Sequence, residues 1–133
     1  MQIFAYILAL IVGFAFGDGP INGTCSEWGI WKPEPHFWYL RGNCTANNGT
    51  SACNYINLGL CYGVDDYGML QPETLSFGVE DCKHCVIDGL HLTCDCLDKH
   101  GQFHTSERSF DEAIATTDGI FSCFNQTGWN CNA

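Results

Sequence analysis

Cysteine spacing is the sequence feature that most constrains how this chain can fold. Residues 82–96 read CKHCVIDGLHLTCDC, which places four cysteines in fifteen positions as a C-x-x-C followed by a C-x-C. Such a cluster either binds zinc or forms disulfides, and the choice depends on the compartment in which the protein resides. The whole chain has ten cysteines in 133 residues, an even and high number that is typical of secreted disulfide frameworks.

The beginning of the chain indicates that compartment. Residues 3–16 are apolar or glycine throughout, and no charged residue precedes Asp18. The run is shorter than the roughly 20 residues of a membrane-spanning helix, and it ends in the small-residue pattern Ala15-Phe16-Gly17. We therefore interpret residues 1–17 as a signal peptide cleaved after Gly17, with an uncleaved anchor as the alternative. The expected product is secreted and extracellular, with no membrane insertion after cleavage. Four N-glycosylation sequons are consistent with this route and begin at Asn22, Asn43, Asn48 and Asn125.

The segment between the cysteine pairs predicts a β-hairpin. Residues 86–92 read VIDGLHL, which is a strand, a turn at Asp-Gly and a second strand. Folding this hairpin brings Cys85 opposite Cys94 and Cys82 opposite Cys96. Because extracellular thiols are oxidised and the spacing departs from common zinc patterns, we expect disulfides here and neither a metal nor another cofactor.

The expected mature chain, residues 18–133, has the length of one domain. It carries all 15 acidic and all 5 basic residues, so its net charge is −10. Nucleic acids and anionic membranes attract basic surfaces, so neither is an expected partner.

Two stretches of the chain resemble each other at a spacing of 52 residues. Each predicts a strand that ends near a cysteine, a polar turn with glycine, another strand, a short helical turn at 58–62 or 110–114, an Asp-Gly turn and a last strand. Such self-similarity indicates duplicated supersecondary units. The matching pairs are Leu40 and Leu92, Cys44 and Cys96, Gly49 and Gly101, Leu58 and Phe110, and Asp66 and Asp118.

This ordered pattern resembles the cyanovirin-N homology family over about residues 22–124. The resemblance implies an all-β fold with short helical turns, in which two tandem pseudo-symmetric repeats, about 25–73 and 82–124, exchange strands. A short extension, 125–133, follows. The implied product is a disulfide-stabilised lectin for mannose-type glycans or glycoproteins, either a monomer or a domain-swapped dimer. The residues that carry the resemblance are Cys82, Ile87, Gly89, Cys96, Gly101, Phe103, Phe110, Ile114, Asp118 and Gly119 in the second repeat, and Leu40, Gly49, Ile56, Asn57, Leu58 and Gly68 in the first.

The expected disulfide pairs rest on three different arguments. The resemblance implies Cys25–Cys44 and Cys82–Cys96, each joining the first and last cysteine of a hairpin. The hairpin itself implies Cys85–Cys94. Proximity in the sequence is the basis for the remaining two pairs, Cys53–Cys61 and Cys123–Cys131.

The resemblance also implies one glycan pocket in each half. Sugar hydroxyls both donate and accept hydrogen bonds, so carboxylates beside amides and hydroxyls suit them. We favour the Asp98 set, because glycans on Asn22 or Asn48 would crowd the other. The Asp98 set comprises Asp65, Asp66, Glu80, Asp81, Asp98, Lys99 and Gln102, and the Thr24 set comprises Thr24, Thr45, Asn47, Thr116, Thr117 and Asp118.

The first hairpin departs from the family pattern through extra residues in WGIWKPEPHFWY, residues 28–39. We expect its two prolines to interrupt any strand there. Its aromatic residues fit a sugar platform, core packing or a covering flap.

Two other functions compete with the lectin interpretation. An enzyme would use paired carboxylates such as Asp81 and Asp98, or one of the four histidines at positions 84, 91, 100 and 104, as acid and base. No nucleophile motif is present, so we do not expect an enzyme. A secreted structural or effector-like protein would keep the fold without binding sugar, since fold does not imply function.

Overall fold

The computed structural model describes residues 17–35 and 37–132. The predicted signal peptide therefore lies outside the described residues, except for Gly17. The described chain consists mainly of short strands, as the sequence predicts. The strands are β1 Gly19–Pro20, β2 Cys25–Glu34, β3 Phe37–Thr45, β4 Ser51–Asn57, β5 Tyr62–Val64, β6 Leu70–Pro72, β7 Cys82–Asp88, β8 His91–Leu97, β9 Phe103–Ser109, β10 Ala115–Thr117, β11 Ile120–Cys123, β12 Gln126–Thr127 and β13 Trp129–Asn130.

Helical structure is limited to single turns. One α-helical turn, α1, spans Ile21–Thr24, and three 3-10 turns span Leu58–Leu60, Gly78–Asp81 and Phe110–Glu112. The first and third of these 3-10 turns occupy the two positions where the sequence predicts helical turns. Each begins after a residue whose side chain caps it: Asn57 accepts from the Gly59 N–H, and Ser109 accepts from the Asp111 N–H.

Two antiparallel sheets of three consecutive strands dominate the architecture. Strands β2, β3 and β4 form one, which β13 extends, and β7, β8 and β9 form the other. Their registers are alike, because Cys25 pairs with Cys44 in the first sheet and Cys82 with Cys96 in the second. Each sheet is followed by a 3-10 turn and a two-stranded hairpin, β5–β6 or β10–β11.

The two halves exchange these hairpins. Hairpin β5–β6 lies against β9: the Leu70 N–H donates to Ser106 Oγ at 2.8 Å, and Arg108 Nε donates to the Leu70 carbonyl at 2.9 Å. Hairpin β10–β11 lies against β4, where the buried Asn54 amide donates to the Gly119 carbonyl and accepts from the Phe121 N–H, both at 2.9 Å. This is the strand exchange that the cyanovirin-N resemblance implies.

A single apolar core connects both halves. Leu40 and Leu92, which match at the 52-residue spacing, are both fully buried, as are Tyr62, Phe110 and Phe121. Burial alternates along β3 and β8 as expected for sheets with one covered face. Since Tyr62 belongs to one half and Phe110 to the other, and their ring centroids lie 6.5 Å apart, the halves share their core.

Three of the five expected disulfides are confirmed, namely Cys25–Cys44, Cys82–Cys96 and Cys85–Cys94. All four cysteines of residues 82–96 are therefore crosslinked within their hairpin. Two expected pairs are wrong. The structure has Cys53–Cys131 and Cys61–Cys123 in place of Cys53–Cys61 and Cys123–Cys131.

The correction has a geometric reason. Cys53 is half-buried on β4, whereas Cys61 is fully buried in the core behind the 3-10 turn at Leu58–Leu60. Strand β13 pairs with β4 and brings Cys131 beside Cys53, whose carbonyl accepts the Cys131 N–H at 3.1 Å. Cys123 is buried on β11 and meets Cys61 in the core. Both bridges connect segments that are far apart in the sequence, so proximity along the chain was the wrong criterion.

Pro33 lies within β2 and Pro35 in the turn that follows, so the prolines interrupt the strand pairing only locally. Strand β2 runs through Pro33 to Glu34 before the turn into β3. This is possible because β2 is the edge strand of its sheet and its register shifts between Trp31 and Glu34, so the missing N–H breaks no ladder. Within the part of the chain that the structure describes, no helix has the length and apolarity to cross a membrane.

Candidate functional site

The Asp98 set lies where three segments meet at one end of the second sheet. Cys82 pairs with Cys96 across β7 and β8, and their Cα atoms are 4.1 Å apart. Consequently the turn that precedes Cys82, with Glu80 and Asp81, and the turn that follows β8 leave the sheet at the same end. The third segment, turn 65–68, contacts the second through a hydrogen bond from the Lys99 N–H to the Asp66 carbonyl at 3.0 Å.

Gly68 explains how turn 65–68 approaches so closely. Its φ is +80°, and a Cβ at this position would lie 2.8 Å from the Cys96 carbonyl oxygen. Only glycine tolerates both the left-handed backbone and the contact. Asp65 stabilises the same turn, because its Oδ1 accepts the N–H groups of Tyr67 and Met69, both at 2.9 Å.

Asp98 organises the turn between β8 and β9. Its Oδ1 accepts the N–H groups of His100 and Gln102 at 2.8 and 2.9 Å, and its Oδ2 lies 2.7 Å from His104 Nε2. These hydrogen bonds, first that from the Gln102 backbone and then that from His104, lower the pKa of Asp98 to about 2. The side chain is 10% exposed. Because a carboxylate has about four acceptor positions, three donors leave Asp98 little capacity for a ligand.

The other members of this set are available to a ligand. Asp66, Asp81, Lys99 and Gln102 are exposed, and Glu80 is half-buried. Within residues 17–35 and 37–132, none of these five side chains makes a hydrogen bond or an ion pair. Three carboxylates, one ammonium and one carboxamide therefore surround the turn that Asp98 holds, an arrangement with both acceptors and donors for hydroxyl groups.

The Thr24 set is brought together in the equivalent place of the first half, but its members bind one another and other parts of the chain. Thr24 Oγ1 and Thr116 Oγ1 are buried and 2.7 Å apart. The Asn47 N–H donates to Asp118 Oδ1 at 2.7 Å. The remaining two hydroxyl members lie 3.1 Å from serine hydroxyls, Thr45 from Ser51 and Thr117 from Ser122.

Residues at the start of the described chain occupy the space within the Thr24 set. The Gly17 N–H donates to Asn47 Oδ1 at 2.9 Å, and the Gly17 carbonyl accepts from Thr116 Oγ1 and from the Gly119 N–H, both at 2.8 Å. Asp18 Oδ1 accepts the Asp118 N–H at 2.7 Å. Gly17 is buried, and a Cβ there would lie within 2.9 Å of three backbone atoms. The segment thus consumes the donors and acceptors that a sugar would need.

The sequon residues differ in accessibility. Asn22, Asn48 and Asn125 are exposed, and Asn43 is half-buried on the central strand β3. Asn43 Nδ2, the atom that a glycan would modify, donates to Glu27 Oε1 at 2.8 Å. Asn22 lies in α1 together with Thr24, and Asn48 follows Asn47 in the turn after β3, so both adjoin the Thr24 set.

Three residues of these sites were absent from the sequence-based sets. His104 was missed because its contact with Asp98 depends on the pairing of β8 with β9, where Cys96 lies opposite His104. Gly17 and Asp18 lie at the expected cleavage site, and no pattern in the sequence predicts their contacts with the Thr24 set.

The geometry bears on the enzyme alternative. A general acid has to be protonated near the working pH, whereas the low pKa of Asp98 keeps it ionised. Two other histidines have carboxylate neighbours at the surface: His84 lies 3.1 Å from Asp95, and His91 lies 3.3 Å from Glu107. Asp95 also accepts a hydrogen bond from Thr105 Oγ1 at 2.7 Å, but this hydroxyl contacts the carboxylate and not the imidazole that would have to activate it as a nucleophile.

No protein-family model and no curated protein sequence matches the chain. Solved structures do. The cyanovirin-N homology protein of N. crassa is 19% identical, with a TM-score of 0.62 over 75% of this chain and 94% of that one. Microvirin, solved as a complex with mannobiose, is 23% identical, with a TM-score of 0.59 over 79% of this chain and 98% of that one.

A variant of MoCVNH3, solved with an N-acetylglucosamine tetramer, is 13% identical, with a TM-score of 0.61 over 77% of this chain and 95% of that one. These identities are low, so they establish the architecture rather than the ligand. The exchanged hairpins, the two hairpin-closing disulfides and these likenesses lead to one conclusion: the chain has the fold of the cyanovirin-N homology proteins.

Proposed function

We propose that the protein is a secreted lectin that binds mannose-type glycans through the Asp98 set. The observation that carries this proposal is the contrast between the two sets. Asp66, Glu80, Asp81, Lys99 and Gln102 make no hydrogen bond or ion pair within the described residues. The members of the Thr24 set, in contrast, bind one another, neighbouring serines and Asp18, all of which remain after cleavage at Gly17.

The rigidity of the Asp98 site supports the proposal. A disulfide, the carboxylate of Asp98 and the close approach of Gly68 hold the three segments before any ligand arrives. Little conformational entropy is then lost on binding. Each hydrogen bond to a sugar contributes only about 1 kcal/mol net, so one site binds weakly and needs several converging groups.

Secretion is part of the same proposal. Five disulfides use all ten cysteines, and disulfides persist in oxidising compartments. Microvirin and the MoCVNH3 variant were solved with sugars bound, which favours sugar binding over catalysis for a chain of the same fold. The expected partners are glycans or glycoproteins.

Titration calorimetry with mannobiose tests the site. Gln102→Ala and Asp81→Asn each remove ligand-facing groups that make no contact within the described chain, so we expect about a tenfold loss of affinity with an unchanged melting temperature. Thr45→Ala, in the other set, is the matched control and should bind like the parent.

Parent-like binding by both Gln102→Ala and Asp81→Asn would show that this site is wrong. A parent protein that binds neither mannobiose nor any glycan on an array would instead favour the structural or effector-like alternative.

A further inference from the structure

A cluster of aromatic rings covers the outer face of the first sheet. Tyr55 on β4 lies at the centre, with ring centroids 5.3 Å from Trp31, 5.5 Å from Tyr39 and 5.9 Å from Trp129. These residues sit on four neighbouring strands and point away from the core, because their neighbours Leu40, Asn54 and Ile56 point into it. The extra residues of the first hairpin thus contribute to an external surface.

A cleft of about 340 Å³ opens beside this cluster, within the range of about 300–1,000 Å³ typical of small-molecule sites. We call it the aromatic cleft. Phe77 forms one wall and is 36% exposed, and Trp129 is 49% exposed. The cleft is lined by Tyr39, Tyr55, Asn57, Leu60, Phe77 and Trp129.

The chemistry of the lining selects a neutral ligand with a flat apolar face. None of the described residues that line the cleft is charged, although the chain as a whole has a net charge of −10. Asn57 Oδ1 accepts the Gly59 N–H at 2.8 Å, whereas its Nδ2 has no partner among the described residues. Because no fully buried side-chain nitrogen or oxygen of those residues is unpaired, that Nδ2 is at least partly exposed, and since Asn57 lines the cleft it can donate to a ligand there.

The cleft is rigid. The Phe77 N–H donates to the Gly59 carbonyl at 2.9 Å, and the Phe77 ring covers Gly59 so closely that a Cβ there would lie 2.5 Å from Phe77 Cδ1. The Cys53–Cys131 disulfide and the pairing of Trp129 with Tyr55 hold the opposite wall. Both walls are in place before a ligand binds, which reduces the entropic cost of binding.

We propose that the aromatic cleft is a second sugar-binding site, specific for β-linked glucose-type units such as glucose or N-acetylglucosamine. These pyranoses carry all their ring substituents equatorially, so both faces present C–H groups to aromatic rings, while their hydroxyl edges reach donors such as Asn57. The axial hydroxyl of mannose interrupts one such face. The cleft therefore takes a different sugar from the Asp98 site and does not depend on it.

Binding of the N-acetylglucosamine tetramer and of cellotetraose to the full chain, followed by calorimetry, tests the proposal. Trp129→Ala removes an exposed ring from one wall, and we expect at least a tenfold loss of affinity for both tetramers. Trp129→Phe should restore most of it. Phe124→Ala removes a ring of similar exposure, 55% against 49%, from outside the cleft and should leave binding unchanged.

Two further results separate this proposal from the proposed function. Gln102→Ala should lower the affinity for mannobiose and leave the tetramers bound as before. The proposal is overturned if neither tetramer binds the parent, or if Trp129→Ala binds both as the parent does. It is also overturned if Trp129→Ala changes only the oligomeric state measured by light scattering, since the cleft would then accommodate a second copy of the chain.

Discussion

At the scale of single residues, Asp98 shows how one side chain can define a site without being its main ligand group. Its carboxylate accepts hydrogen bonds from two backbone N–H groups and from His104, and this fixes the turn from which Lys99 and Gln102 project. Asp65 plays the same structural role in the neighbouring turn.

Because of the low pKa of Asp98, the stability of the folded protein should decrease at acidic pH. The group has a pKa of about 2 in the folded state against an ordinary value of 3.8. A carboxylate with a depressed pKa stabilises the fold above its unfolded pKa, and this contribution is lost as the pH falls through the folded pKa. The melting temperature of Asp98→Asn, measured by calorimetry, should therefore fall less than that of the parent as the pH is lowered from about 4 to 2.

Asp81→Asn is the charge-matched control for this experiment, because Asp81 is exposed and makes no hydrogen bond within the described residues. It should follow the parent across the same pH range. If Asp98→Asn loses stability in parallel with the parent, the hydrogen bonds of Asp98 do not stabilise its ionised form.

The sequence predicts these residues only in part. The polar turn after Cys96 and the acidic residues before Cys82 are visible as motifs, and the hairpin brings them to one end of the sheet. The sequence does not show which of these side chains are left free for a ligand. That depends on hydrogen bonds such as the one between His104 and Asp98, which forms because β8 pairs with β9.

At the scale of elements, the short strand β13 is the most consequential addition. It pairs with β4, supplies Trp129 to the aromatic cleft and carries Cys131 to Cys53. Local signals predict the hairpins because their turns and cysteines are close in the sequence. They do not predict β13, whose two residues pair with a strand more than seventy residues earlier.

Peptide mapping of the oxidised protein should find Cys53 joined to Cys131 and Cys61 joined to Cys123. The double change of Cys53 and Cys131 to Ser should lower the free energy of unfolding by about 2–5 kcal/mol, because the bridge closes a long loop. Denaturant titration measures this loss. Finding Cys53 joined to Cys61 would contradict the arrangement of β4 and β13.

The start of the described chain is the second element with a functional consequence. Gly17 and Asp18 use the polar groups of the Thr24 set. A chain that begins at Pro20 should therefore bind mannobiose at two sites, whereas one that begins at Gly17 should bind at one. The stoichiometry from calorimetry distinguishes them, and equal stoichiometry would show that the segment does not control access to this set.

At the scale of the whole molecule, neither half has a complete core of its own. Hairpin β5–β6 packs on β9, and hairpin β10–β11 packs on β4. The Cys61–Cys123 disulfide joins the halves, and Cys53–Cys131 joins the first half to the C-terminal extension. The 52-residue spacing and the order of strands predict an all-β fold with short helical turns, and the resemblance to the cyanovirin-N homology family implies the exchanged hairpins. The two long-range disulfides were not predictable, because cysteine spacing alone does not specify which elements meet in the core.

A fragment that covers residues 18–73 should remain unfolded. It lacks β9, against which β5–β6 packs, and the partners of Cys53 and Cys61. Exposed strand edges and apolar faces would remain. Circular dichroism should detect no cooperative thermal transition, and a cooperative melt of this fragment would show that the halves fold independently.

The most direct test of the central claim is an NMR titration of the 15N-labelled chain, residues 18–133, with mannobiose. If the Asp98 set binds mannose-type glycans, amide signals of residues 65–68, 80–82 and 97–102 should shift together and saturate with one dissociation constant. Signals that shift instead at residues 45–49 and 116–119, or that do not shift at all, would contradict the assignment of glycan binding to this site.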